Sequence, residues 1–173
     1  MKTTGITRRI DDLGRIVIPK EIRKNMHIKS GEMFEIFLEI PDVIVLKKYS
    51  VIKENEIFIN FFVKSISKQI KGDVYLVNLD SVVFSTDEKI LGKNLSQSFE
   101  NLINTDKPNF NSIKELEIVD NYFITGEIEV YPLLPHGDLS GFLIFKYNEI
   151  PNEKIRELVR FSTDFIKVYM EEN

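Results

Sequence analysis

Residues 5–24, GITRRIDDLGRIVIPKEIRK, concentrate positive charge around a turn. Four of the six arginines in the chain lie in this stretch, and its basic side chains are Arg8, Arg9, Arg15, Lys20, Arg23 and Lys24. Gly14 can supply a positive φ, so the pattern predicts a strand over TGITRRI, a turn over DDLG and a returning strand over RIVIP. Pro19 ends that strand and suits the first turn of a short helix, KEIRKNM.

Charge is distributed unevenly along the rest of the chain. Residues 1–30 carry eight Lys and Arg against three Asp and Glu, which gives a net charge of +5. Residues 51–173 carry 13 against 20, which gives −7, and the whole chain has a net charge of −4. A basic segment on an acidic body indicates an anionic partner, most simply a nucleic acid. On charge alone, a solvated basic turn without a partner is the alternative.

The composition, 43% hydrophobic and 29% charged over 173 residues, is that of an ordinary globular protein. The chain has no cysteine, which excludes disulfides, thiolate metal sites and thiol catalysis. No signal peptide pattern opens the sequence, and apolar runs such as IFINFFV are too short to span a bilayer. We therefore expect a cytoplasmic protein that does not bind membranes.

After the short helix, MFEIFLEI and VIVLKKY predict a second hairpin around Pro41 and Asp42, with apolar residues alternating along each strand. Residues 1–52, which we predict to be the first domain, are too few to bury a convincing core alone, and no cysteine or metal helps. They are nevertheless rich in Ile, Val, Leu and Phe. The leading hypothesis is an intertwined homodimer in which two chains share one barrel-like core.

Residues 53–173 predict an α+β domain with an antiparallel sheet. A helix over residues 54–70 is followed by the hairpin DVYLVNL and VVFST, a helix over SQSFENLIN, the hairpin YFITGEIEVYPLL and LSGFLIFKY, and an amphipathic helix from about Pro151. The order is thus a helix, two strands, a helix, two or three strands and a final helix. The apolar face of helix 54–70 nearly encircles it, so we expect cover from its own domain and from a partner subunit.

The residues TGITRRIDDLGRIVIPKEIRK, followed by GEMFEIF and VIVLKKY, resemble the swapped-hairpin DNA-binding domain of the AbrB transition-state regulators. The match runs through the first domain almost without gaps. The continuation, with YPLLPHGDLSGFLIF near its end, resembles the stage V sporulation regulators within this family, whose second half is a GAF domain. The resemblance implies a swapped-hairpin β-barrel formed by two chains and a GAF-like antiparallel sheet flanked by helices.

In this family, arginines on the exposed face of the barrel bind DNA. The resemblance therefore implies contacts to double-stranded DNA from Arg8, Arg15, Arg23 and Lys24, with Arg9 and Lys2 as supporting basic residues. Lys24 stands where arginine is common in the family. A lysine keeps the charge but lacks the planar fork for bidentate contacts, so we expect phosphate binding to survive there.

Motifs for catalysis and metal binding are absent from the sequence, including a phosphate-binding Gly-rich loop and a nucleophile elbow. Asp11 and Asp12 form a carboxylate pair, but adjacent acids in a turn more often fix its backbone or pair with nearby arginines. His27 and His136 stand alone, and we expect both at the surface. The sequence thus predicts a protein that is not an enzyme and has neither a cofactor nor a metal site.

Taken together, these patterns predict a homodimeric or tetrameric, sequence-tolerant transcriptional regulator, with a sporulation role implied by the resemblance alone. The second domain is expected to modulate DNA binding or assemble dimers. A small-molecule effector pocket, lined between about Leu95 and Tyr122, and a ligand-free dimerisation module both stay open. Two other classes compete: an antitoxin-like protein-interaction module, and a small-molecule-binding protein whose basic head docks it.

Overall fold

The computed structural model describes residues 4–26, 28, 32–103, 110 and 113–172. The chain divides into two compact units, residues 1–49 and residues 50–173. We call these the N-terminal domain and the C-terminal domain. The boundary predicted from the sequence lies three residues later, between residues 52 and 53.

In the N-terminal domain, Pro19 precedes helix α1 (Lys20–Asn25), as the sequence predicts. Strands β1 (Phe34–Glu39) and β2 (Val43–Lys48) form the predicted second hairpin. They pair antiparallel in a register that sets Ile36 opposite Leu46 and Leu38 opposite Ile44. Because side chains alternate across a strand, these four apolar residues share one face of the hairpin.

The predicted first hairpin is present only as its turn. Gly14 adopts φ 74°, and its N–H donates to the Asp11 carbonyl at 2.9 Å. Residues 4–10 and 15–19, however, form no strand in this single chain. A β-strand requires hydrogen bonds to a neighbouring strand, and no other described segment pairs with these two. The expectation of two strands here is therefore wrong for one chain by itself.

The N-terminal domain has no core of its own, because none of its described residues is buried. On the apolar face of the hairpin, Leu38 is 79% exposed, Ile36 64% and Ile44 63%. Around the basic turn, Leu13 is 74% exposed and Val17 70%. A two-stranded sheet with a solvated apolar face is marginal at best in water, so this surface needs cover.

The C-terminal domain has four helices and five strands in its described residues. In chain order they are α2 (Val51–Glu54), α3 (Glu56–Ser67), β3 (Gly72–Asn78), β4 (Val82–Ser85), α4 (Gln97–Ile103), β5 (Ile113–Val119), β6 (Tyr122–Leu133), β7 (Gly141–Tyr147) and α5 (Glu153–Glu172). The strands form one antiparallel sheet in the order β4-β3-β7-β6-β5. This confirms the predicted α+β class and antiparallel sheet, and β5 is the strand that the sequence left open.

Both faces of this sheet are covered. On one face a cluster of buried residues includes Tyr75 and Ile144 and continues into α4 through Phe99, whose ring meets that of Phe142 edge-on at 5.8 Å. Neighbouring residues along β3 and β7, such as Leu76 and Phe145, alternate to the other face. There α3 and α5 contribute their own buried residues, which include Ile59, Val63, Val159 and Ile166.

A charged side chain ties α5 to the sheet. Glu129 on β6 accepts hydrogen bonds from the hydroxyls of Tyr131 and Tyr147, both at 2.9 Å, and from the guanidinium of Arg156 on α5. Burial, together with the neighbouring Glu129 carboxylate, raises the pKa of Tyr131 to about 12. Both tyrosines therefore stay protonated near neutral pH and keep donating to Glu129.

Candidate nucleic-acid interface

The basic turn of the N-terminal domain is organised by the carboxylate of Asp11. Its Oδ1 accepts from the backbone N–H groups of Leu13 at 3.0 Å and Arg15 at 2.8 Å. Its Oδ2 accepts from Arg15 Nε at 2.8 Å. The Asp11 N–H donates in turn to the Arg15 carbonyl at 3.0 Å. These bonds, the backbone one from Arg15 first, lower the pKa of Asp11 below its usual range.

The described basic residues of the predicted site lie on this turn and on α1, and every one of them is exposed. Arg8 and Arg9 precede the turn, Arg15 closes it, and Arg23 and Lys24 lie in the last turn of α1. Cations at a helix C-terminus interact favourably with the helix dipole, which suits these last two. The structure thus brings five of the predicted residues into one small domain. That they share one DNA-binding face stays a prediction.

The local charge of this region is positive. Residues 4–26 carry six Lys and Arg against three Asp and Glu. Of those acids, Asp11 is paired with Arg15, whereas Asp12 is exposed and has no bond to another described residue. Lys2 and His27, which the sequence analysis singled out, lie outside the described residues.

An open groove of about 640 Å³ lies in the C-terminal domain between α3 and the edge strand β4. Its α3 wall carries Glu56, Asn60 and Lys64 at four-residue spacing, and its floor follows residues 81–86. Asn60 Oδ1 is buried and has no hydrogen-bond partner among the described residues. The groove therefore offers charged side chains such as Glu56 and Lys64 to a polar ligand.

This groove is not where the sequence analysis placed an effector pocket. Between Leu95 and Tyr122, the described residues instead fill the core under α4; Leu95, Phe99, Leu116 and Ile118 are all buried. Residues 104–109 and 111–112 of that segment lie outside the described part of the chain. The expectation of an effector pocket lined by this segment therefore stays a prediction.

Helices α3 and α5 meet through stacked aromatic rings and present an apolar surface beside them. Phe58 stacks on Tyr169 at 3.9 Å between ring centroids, and Phe62 on Phe165 at 4.8 Å. Next to these rings, Ile57 is 78% exposed, Phe61 69%, Phe161 64% and Val168 54%. We call these four exposed residues the α3–α5 face. Helix α3 therefore has apolar surface that its own domain leaves exposed, and cover of this surface by a partner subunit stays a prediction.

The described residues contain no group of three or more His, Cys, Asp or Glu side chains that could hold a metal ion. No helix among them is both long enough and apolar enough to cross a membrane. His136 lies exposed in the turn Pro135–Gly137, where the sequence analysis expected it.

Comparison with known proteins extends the resemblance over the whole chain. Stage V sporulation protein T from Bacillus subtilis (strain 168) is 31% identical over 180 residues, which cover 99% of this chain and 100% of that protein. The chain belongs to the family of stage V sporulation protein T. Two further relatives from Bacillus subtilis match the N-terminal part over 49 residues, or 28% of this chain. They are the transition state regulatory protein AbrB at 47% identity, half of which is covered, and the putative transition state regulator Abh at 45%, with 52% covered.

Residues 7–54 also match the family model described as antidote-toxin recognition MazE, bacterial antitoxin. Among solved structures, the cofactor-binding GAF domain of the nutrient sensor CodY from Clostridium difficile aligns with 64% of this chain and 83% of that one. Its TM-score is 0.44 at 14% identity, a likeness too distant to carry an argument about this chain. The relatives are regulators by name, in agreement with the prediction that this family member is not an enzyme.

Sequence reasoning found the basic residues but did not single out Asp11 from Asp12. The signal that could have done so is the spacing, because Asp11 lies four residues before Arg15 across a glycine turn and Asp12 only three. The groove gives no comparable signal. Its wall and floor come from α3 and β4, and only folding brings those two elements side by side.

Proposed function

We propose that this protein is a DNA-binding transcriptional regulator of the sporulation type, which binds double-stranded DNA through a dimeric N-terminal domain. The observation that carries the proposal is that the N-terminal domain has exposed arginines around a fixed turn and no buried residue among those the structure describes. The uncovered apolar surface favours contact with a second chain, and the exposed arginines favour binding of an anion. Membership in the family of stage V sporulation protein T supports the same reading.

Dimerisation through exchanged hairpins accounts for the apolar residues that one chain leaves exposed. Ile36, Leu38 and Ile44 line one face of the β1–β2 hairpin, and Ile16 and Val17 lie in the segment that forms no strand alone. In a swapped barrel, the partner chain supplies strands to pair with residues 4–10 and 15–19. The same contact buries the hairpin face, each fully buried Leu or Ile contributing roughly 1.5–3 kcal/mol.

The dimer would present ten basic side chains to DNA, since each chain contributes Arg8, Arg9, Arg15, Arg23 and Lys24. If about six to eight of them neutralise phosphates, log affinity falls with log salt at a slope of about −5 to −7. Arginine forks can also read guanine acceptors or groove width, whereas Lys24 acts as a point charge. The described residues offer no helix-turn-helix, so we expect a shape-weighted preference and not a strict consensus.

The C-terminal domain is proposed to assemble dimers and to adjust DNA binding. Its α3–α5 face is apolar and exposed, which suits contact with a second copy of the domain. The groove between α3 and β4 is the proposed place for a polar small-molecule effector, because α3 forms its wall. Helix α3 follows β2 after only a few residues. A ligand that favours one packing of α3 would therefore bias the spacing of the barrels.

An antitoxin-like function is the second candidate, and the match of residues 7–54 to the MazE model favours it. Antitoxin tails that neutralise a toxin are commonly short segments that fold on binding. Here residues 50–172 form a domain with its own buried core in its described part. We therefore rank DNA-binding regulation first.

The test is the affinity of the full chain for a mixed-sequence duplex of about 30 base pairs across a salt series, where phosphate contacts set the slope. We expect a steep negative slope for the wild type and a flatter slope, with weaker binding, for Arg15→Ala and Arg23→Ala. Arg160→Ala is the matched control, because that arginine is exposed on α5 and pairs with Glu153 at 3.5 Å. A flat wild-type slope, or equal effects of Arg15→Ala and Arg160→Ala, would contradict the proposal.

A further inference from the structure

We infer that Asp11 is a positioning residue that aims Arg15 at acceptor pairs in a groove of duplex DNA and away from loose phosphate contacts. The inference rests on the proposed function and names the side chain that makes Arg15 selective. It separates Asp11 from its neighbour Asp12, which has the same charge and lies in the same turn.

The carboxylate of Asp11 is itself fixed, so it can fix what it touches. Two backbone N–H groups, those of Leu13 and Arg15, hold its Oδ1 in the turn. Its other oxygen then receives the Arg15 Nε–H at 2.8 Å. With one oxygen bound to the backbone and the other to Nε, the carboxylate sets the orientation of the guanidinium relative to the turn.

This pairing leaves the functional end of Arg15 available. A guanidinium has five N–H donors, and Asp11 engages only the one on Nε. Among the described residues, none contacts the two terminal nitrogens of Arg15, whose side chain is 71% exposed. These nitrogens form the planar fork that binds guanine O6 and N7 or a phosphate in bidentate fashion. Asp11 therefore orients the fork without occupying it.

The charge of Asp11 decides which acceptor the fork prefers. A carboxylate 2.8 Å from Nε offsets part of the arginine's charge and repels a phosphate that approaches from the same side. Base-edge acceptors are uncharged and experience little of that repulsion. Directed hydrogen bonds in the groove are thus retained while undirected attraction to any polyanion is weakened.

Stability is not what this ion pair provides. Arg15 and Asp11 are 71% and 43% exposed in their side chains, and exposed pairs contribute little to folding. Asparagine at position 11 keeps an Oδ1 that can accept from the same backbone N–H groups, so Asp11→Asn should preserve the turn. Asp12→Asn makes the same change of charge one residue away and touches no bond of Arg15.

The experiment compares binding of the full chain to a mixed-sequence duplex and to one of its two strands alone, at one salt concentration. Both ligands carry phosphates, but only the duplex has grooves. For Asp12→Asn we expect affinity to rise alike for both ligands, with an unchanged duplex-to-single-strand ratio. For Asp11→Asn we expect that ratio to fall by about fivefold, since a directed arginine–base contact is lost.

A double-mutant cycle with Arg15→Lys completes the test, because lysine has no fork to orient. Arg15→Lys alone should lower the ratio, and adding Asp11→Asn should change it no further. The single variant Arg15→Lys leaves the Asp11 backbone bonds intact, so its effect on the ratio can be measured even if circular dichroism shows that Asp11→Asn has misfolded.

Two results would overturn the inference about Asp11 and leave the proposed function standing. One is an equal effect of Asp11→Asn and Asp12→Asn on the ratio in wild-type-like folded proteins. The other is an Arg15→Lys variant that retains the full ratio. If the wild type itself binds duplex DNA without a steep salt dependence, the proposed function falls and the inference falls with it.

Discussion

The N-terminal and C-terminal domains contain similar apolar residues but bury them to opposite extents. In the C-terminal domain, β3 and β7 place every second side chain against α4 and the others against α3 and α5, so Tyr75 and Leu76 are both buried. In the N-terminal domain the β1–β2 hairpin has the same alternation, yet Ile36 and Leu38 stay exposed because no layer covers them. The difference is that the C-terminal domain builds a buried core from one chain, whereas the described residues of the N-terminal domain do not.

The largest expected effect comes from a substitution in the core of the C-terminal domain. Phe99→Ala removes a fully buried ring that packs edge-on against Phe142, so it should lower the free energy of unfolding by about 3–5 kcal/mol. Urea denaturation of the full chain, followed by far-UV circular dichroism, measures this. Phe123→Ala is the control, because that ring is 55% exposed and its loss should cost far less. Equal costs for the two variants would contradict the core as described.

The second prediction tests whether the exposed hairpin face is a shared core. As seen in one chain, Leu38 is 79% exposed, so a monomer would tolerate Leu38→Ala with almost no change. If a partner chain buries it, the change should cost about 2–4 kcal/mol, and unfolding of both the wild type and the variant should depend on protein concentration. Glu39→Ala lies on the opposite face of β1 and serves as the control. Sedimentation equilibrium together with thermal melts at several concentrations decides between the two cases.

The third prediction concerns a part of the C-terminal domain that resembles the uncovered hairpin. Phe61→Glu places a charge on the α3–α5 face, and we expect association beyond the dimer to weaken by about tenfold, or roughly 1.4 kcal/mol. Lys93→Glu changes a charge at an exposed position on the segment before α4, outside that face, and should leave assembly unchanged. Light scattering after size exclusion would report the masses. An unaltered assembly in Phe61→Glu would remove the α3–α5 face as an interface.

The smallest expected effect is the pH response of the basic turn. Hydrogen bonds from Arg15 and Leu13 lower the pKa of Asp11 below its usual 3.8, so the folded state holds the carboxylate charged more strongly than the unfolded chain does. Whatever stability the turn gains is therefore present at neutral pH and is lost as the pH falls through the lowered pKa. NMR titration of the Asp11 carboxyl should show a midpoint below 3.8.

Arg15→Ala sharpens this measurement. It removes the Nε bond but keeps the backbone N–H of residue 15, which is the larger cause of the shift. The midpoint of Asp11 should therefore rise only part of the way toward its usual value. A complete return would mean that the side chain, and not the turn, holds the carboxylate.

Local sequence rules were sufficient for most of the elements. Pro19 marks the start of α1, Gly14 marks the turn, and alternation of apolar residues marks the β1–β2 hairpin. Each of these depends on the conformational preference of a few neighbouring residues. The same rules predicted strands over residues 4–10 and 15–19, and there they failed. Propensity supplies an extended backbone, but a strand also needs a neighbour that the single chain lacks.

The sequence by itself therefore determined the α+β class, the basic residues of the candidate site and the shortage of core residues in its first domain. Only the tertiary structure decided that Tyr75, Phe99 and Ile144 meet in one core and that a groove opens between α3 and β4. The physical reason is the range of the interactions. Turns, caps and periodicity act over a few residues, whereas cores and cavities depend on where distant segments meet.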